Sequence, residues 1–193
     1  MKKIVLLFLI IVICSSCGNN KKENGKVQTQ TFKKVITEGN IEVKCYEEGN
    51  AQLYKYCVYN EEKKKIYEKD GLSSEPMTKH ISSTISKVIV SAGTGVALVR
   101  YFDIKRSLVS EVFITPWDEY ETKLIRFDSN NNVIVQDMFN RDECFDFALP
   151  LIKCADVNNA IISARFIASN EVEIQYYNEK GQEESKKIVL DNK

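Results

Sequence analysis

The chain has 193 residues, 27 Lys and Arg against 27 Asp and Glu, a formal net charge of zero, and 44% hydrophobic residues. Near neutrality excludes the basic footprint of a nucleic-acid binder, and the single histidine, His80, excludes a metal centre built on several histidines. The apolar content suffices for one domain with a short appendage.

Lys2 and Lys3 open the chain, Ile4 to Ile13 is an unbroken apolar run, and Cys14-Ser15-Ser16-Cys17-Gly18 leads into the polar stretch from Asn19 to Gly25. A charged start, an apolar run and small residues at a cleavage site are the layout of a secretory signal. The run is about half the roughly twenty residues that a membrane-crossing helix requires. With Ser15 and Ser16 placed before Cys17, the segment resembles the type II signal peptide of bacterial lipoproteins, with Cys14 standing where that pattern usually carries Leu. Cys14 itself is a poor lipidation site, because the bulky Ile13 precedes it.

The resemblance covers residues 1–18. It implies cleavage after Ser16 and a lipidated Cys17, held to a membrane by several acyl chains, palmitate among them. Gly18 in place of Asp after the cysteine implies the outer membrane or cell surface. The expected organisation is a signal peptide over residues 1–16, a lipidated cysteine and flexible tether over 17–31, and a domain over 32–193 of an exported, envelope-anchored protein.

Within the domain, Ile41 to Tyr46 alternates apolar and polar residues as a half-buried strand does, and Leu53 to Tyr59 is a second strand after the turn at Gly49-Asn50. The charged run Asn60 to Lys65 predicts a loop, with a short strand at Ile66-Tyr67-Glu68. Residues 73–86 hold the one predicted helix: Ser74 is a cap, Pro76 suits a first turn, and Ile81 and Ile85 stand four apart. Strands are then predicted over Val88–Ala92, Val96–Asp103, Leu108–Thr115, Tyr120–Asp128 and Val133–Phe139, with a terminal meander over Ile161–Ala168, Glu171–Tyr177 and Ser185–Leu190. Short strands with turns every eight to twelve residues or so predict an all-β domain, a sandwich or barrel with at most one or two short helices. No repeat is strong enough to name a propeller.

Four cysteines remain in the domain: Cys45, Cys57, Cys144 and Cys154. In an exported protein an even set predicts disulfides, and the spacings favour 45 with 57 and 144 with 154. Free buried thiols are the alternative reading. A zinc site lacks its Cys-x-x-Cys spacing.

No serine sits in a nucleophile elbow that His80 could serve. The run Asp128-Ser129-Asn130-Asn131-Asn132 starts like a calcium loop but has Val133 and Phe139 where that loop needs Gly and Glu, so it reads as a turn. Gly93-Thr94-Gly95 also reads as a tight turn, because it lacks the Lys of a phosphate cradle. Carboxylate pairs such as Asp118 with Glu119, or Glu143 with Asp146, are too common in an acid-rich chain to carry weight.

The segment singled out is Thr115 to Tyr120, with the only Trp and a loop-marking Pro. Trp117, Asp118 and Tyr120 form a candidate binding loop for an envelope protein or a glycan; the alternative is that Trp117 folds back over the core. No catalytic residue, cofactor or metal is expected. The expected role is non-catalytic binding or structure. An inhibitor or immunity lipoprotein against a lytic enzyme and a carboxylate-dependent envelope hydrolase are the rivals.

Overall fold

The computed structural model describes residues 31–128, 130, 132–152 and 159–190. Fifteen strands follow one another in these residues. The first four are β1 (Phe32–Glu38), β2 (Ile41–Glu48), β3 (Ala51–Tyr59) and β4 (Lys65–Leu72). Next come β5 (Met77–His80), β6 (Ile85–Ser91), β7 (Ala97–Asp103) and β8 (Leu108–Ile114). A third group is β9 (Asp118–Tyr120), β10 (Lys123–Phe127), β11 (Val133–Asp137) and β12 (Cys144–Phe147). The last is β13 (Ile161–Ala168), β14 (Glu171–Tyr177) and β15 (Glu183–Val189).

Each group is its own antiparallel meander, so the chain makes four sheets of four, four, four and three strands. Their first strands begin at Phe32, Met77, Asp118 and Ile161, a recurrence of about 40–45 residues like that of propeller blades. The all-β antiparallel class expected from the sequence is the class adopted, and among the described residues the sheets do not close into a barrel.

Instead the sandwich principle is used three times over. One core cluster joins the first sheet to the second through Ile41, Val43, Tyr56 and Val58 against Val88 and Phe102. A second cluster joins the second sheet to the third through Val99, Tyr101 and Phe113 against Leu124 and Met138. The third joins the third sheet to the fourth through Ile125, Val133 and Val135 against Ala164, Val172 and Ile174.

The two middle sheets are therefore covered on both faces. Adjacent residues point to opposite faces of a strand, yet the neighbours Tyr101 and Phe102 are both fully buried, as are Leu124 and Ile125. Strand β11 reads Val-Ile-Val-Gln with every one of the four buried. Each fully buried Leu or Ile of this kind contributes about 1.5–3 kcal/mol. By contrast β1 and β15, at sheet edges in the two outer sheets, are mostly exposed.

The predicted helix over residues 73–86 is not formed. Those residues make β5, a turn, and the start of β6. The Ser82 hydroxyl accepts the amides of Thr84 and Ile85, and the Ile81 amide donates to the Ile85 carbonyl, which closes a hairpin. Ser and Thr side chains compete with helical bonds in this way, and Ile85, opposite Asp103 in the strand register, is buried in the cluster with Val99, Tyr101 and Phe113 rather than by a helical stripe.

Gly39 turns β1 into β2 at a φ of 57°, and a Cβ there would lie 2.9 Å from the His80 ring. The ring's Nδ1 is 2.9 Å from the Ser86 hydroxyl. His80 is thus an exposed residue at the end of β5 that lies over the Gly39 turn and contacts Ser86.

Candidate functional site

Tyr101 reaches from the second sheet to the third, where its hydroxyl donates to Glu119 at 2.5 Å. The Lys87 ammonium donates to both Glu119 carboxylate oxygens at 2.7 and 2.6 Å. Both charged side chains are nearly buried, 12% and 14% exposed, so each depends on the other for solvation. Burial, then the bond to Glu119, pushes the Tyr101 hydroxyl far above its ordinary pKa. These groups hold the second and third sheets together.

The outer face of the first sheet carries a second polar set. Lys55 bridges Glu68 at 2.5 Å and Asp70 at 3.5 Å, Lys65 pairs with Glu68, and the Tyr46 hydroxyl donates to Asp70 at 2.5 Å. The two ammonium groups hold Glu68 down at about 2. Among the described residues, the carboxylates with displaced pKa values all move downward: Glu68, Asp70, Asp128, Glu173 and Glu184. A general acid needs the opposite displacement.

The Asp128 turn is an Asx turn, its carboxylate accepting the Asn130 and Asn132 amides, both at 2.8 Å. That satisfies the carboxylate locally, as the turn reading expects.

The predicted Cys45–Cys57 disulfide is overturned. Both are free, buried thiols. Cys45 lies opposite Tyr54, whereas Cys57 lies opposite Glu42, so the two sit on opposite faces of the sheet and three positions apart. A disulfide needs Cα atoms within about 7 Å and converging side chains, which a strand pair in this register forbids. The Cys57 thiol is pushed up by burial and by the neighbouring Glu68. Cys144 is exposed on β12, and Cys154 lies outside the described residues, as does Cys17.

Trp117 is half-buried and packs on the cluster between the third and fourth sheets, edge-on to Phe127 at 5.9 Å between centroids. Its amide donates to the Ile125 carbonyl at 2.8 Å. The Asp118 carboxylate accepts the Phe166 amide of β13 at 2.8 Å. Tyr120 is 39% exposed and stacks at 5.9 Å on Phe166. These three candidates are brought together, and what they build is the seam between β9 and β13.

The cleft with the chemistry of a binding site lies at the other side of the same two sheets. It is a groove of about 680 Å³ between β12 and β15. Val135, Phe145, Phe147 and Ile188 form its floor, all of them part of the core cluster there. Asp137, Asp142, Glu143 and Asp146 lie along its rim, with Lys123 as the one cation in the lining. The sequence displays half of this: in Cys144-Phe145-Asp146-Phe147 two aromatic residues alternate with a cysteine and an acid. A strand of only four residues carries too little alternation to predict, and Ile188 arrives from a distant segment.

No protein-family model matches the chain, and no curated protein or solved structure matches it.

Proposed function

We propose that the protein is a lipid-anchored component of a bacterial cell envelope, attached through Cys17 at the outer membrane or cell surface, and that its stacked sheets act by binding rather than by catalysis. The observation that carries the binding half is the groove between β12 and β15, an apolar floor with an acidic rim on a rigid scaffold. Pockets with an apolar body and a few orienting polar groups are the usual form of a recognition site. The anchor half rests on the charged start, apolar run and Ser15-Ser16-Cys17 of the sequence.

The test of the anchor is Cys17→Ser, followed by membrane fractionation with labelled fatty acid. The expected result is loss of label and release from the membrane fraction, with Cys14→Ser remaining acylated. A Cys17→Ser protein that stays acylated and membrane-bound overturns the assignment. Binding is tested by recovery of a saturable envelope partner with the intact protein.

A further inference from the structure

The second sheet ends in an uncharged, exposed hairpin. In a protein with 28% charged residues, residues 88–99 between Lys87 and Arg100 carry no charge. They are the end of β6, the start of β7 and the turn that joins them. The tip, residues 91–96, is exposed throughout. Its own backbone closes it, the Ala92 amide donating to the Val96 carbonyl at 3.0 Å. A second uncharged run, residues 112–117, lies beside it at the end of β8. Val90, Leu98 and Ile114 stand directly opposite one another on β6, β7 and β8, and so share a face. Ile114 is 67% exposed, Val112 before it on β8 is 43% exposed, and Val96 in the tip is 41% exposed.

The other end of the first two sheets has the opposite character. The turns after β3 and β7 carry Glu61, Glu62, Lys63, Lys64, Lys105 and Arg106. These turns meet, the Asn60 side-chain amide donating to the Ser107 hydroxyl at 3.0 Å.

The chain enters the domain at the uncharged end. Phe32 opens β1, opposite Tyr46. The Lys34 ammonium donates to Glu75 at 3.0 Å, and the Ser74 hydroxyl beside Glu75 donates to the Ser91 carbonyl at 3.3 Å, at the base of the tip. Lys33 pairs with Glu47 and Lys34 with Glu75, so both lysines at this entry are neutralised.

We propose that the tip of residues 91–96, with Val112 and Ile114 beside it, lies in the interface of the membrane that holds the lipid on Cys17, and so orients the domain with its charged turns outward. This rests on the anchor reading above. Contiguous exposed apolar surface marks contact with a protein or a membrane. A lipid surface is selected here because the chain arrives from the acylated residue on this side, and because the tip offers a partner no charge and only the Ser91 and Thr94 hydroxyls as polar side chains. The acyl chains supply the attachment, and the tip supplies the orientation.

The experiment uses the full-length acylated protein with Cys144→Ser and Cys154→Ser. A nitrobenzoxadiazole label is placed either at the tip through Thr94→Cys or at the charged end through Glu62→Cys. Cys45 and Cys57 are buried and stay unlabelled. Each protein is inserted from detergent into preformed phosphatidylcholine vesicles. The expected result is blue-shifted emission and slowed reduction by dithionite at position 94 and not at position 62. Neither high salt nor added phosphatidylglycerol should change it, because the tip is uncharged. Val96→Asp/Ile114→Asp, on exposed residues, should abolish the shift at position 94 with an unchanged far-UV spectrum and unchanged attachment to vesicles. Equal accessibility at the two positions, or a shift that survives the double variant, overturns the proposal. A shift that appears only when envelope proteins are added also overturns it, because the tip then contacts a protein. Attachment is scored separately with labelled fatty acid. Protein that carries the fatty acid and leaves position 94 exposed overturns the orientation alone, whereas protein without the fatty acid overturns the anchor reading with it.

Discussion

Glu119 accepts hydrogen bonds from the Lys87 ammonium and the Tyr101 hydroxyl at the interface between the second and third sheets. Removing one partner of a nearly buried ion pair strands the other charge, which costs more than the pair contributes. Lys87→Met should therefore lower stability by about 3 kcal/mol, and Lys87→Met/Glu119→Gln, which removes both charges and keeps an acceptor for the Tyr101 hydroxyl, should recover most of it, as read by urea unfolding. Glu68 gives the pH dependence. Its folded-state pKa of about 2 lies below the ordinary 4.5, so its stabilisation is present above 4.5 and is lost as the pH falls toward 2. Glu68→Gln should flatten the acid limb of a stability profile across that window. The thiols differ by exposure: iodoacetamide should label Cys144 in the folded protein, and Cys45 and Cys57 only after unfolding. Labelling of Cys57 in the native state would refute the burial that raises its pKa.

At the scale of the element, the segment from Thr115 to Tyr120 is a strand entry whose polar and aromatic groups are used for packing. Trp117 lies edge-on to Phe127, and Asp118 ties β9 to β13. Trp117→Ala should lower stability by about 2–3 kcal/mol, less than for a fully buried tryptophan, and a near-zero change in denaturant midpoint would return the residue to the surface. Two apolar residues four apart, Ile81 and Ile85, suit a helix as well as the two ends of a hairpin turn. Ser82 between them decides for the turn, because its hydroxyl accepts the amides of Thr84 and Ile85. The strand β12 is not legible in the sequence for a different reason, since four residues hold too few alternations to stand out.

Across the whole molecule, four meanders are stacked so that each core cluster lies between sheets adjacent in the chain. Amide hydrogen exchange should be slowest in β7, β10 and β11, covered on both faces, and fastest in β1 and β15. Equal protection of β1 and β11 would contradict the stacking. The β class was legible in the residues themselves, through alternation and through turns at Gly49-Asn50, Gly93-Thr94-Gly95 and Asp128 to Asn132, because strand period and turn chemistry are local properties. The runs Tyr101-Phe102, Leu124-Ile125 and Val133-Ile134-Val135 hinted at strands buried on both sides. Which sheet would cover which face was decided only in three dimensions, since one apolar side chain serves any apolar neighbour. The same holds for the separation of Cys45 from Cys57, set by register, and for the groove, where Phe145 and Ile188 meet from segments some forty residues apart only because β12 and β15 belong to neighbouring sheets.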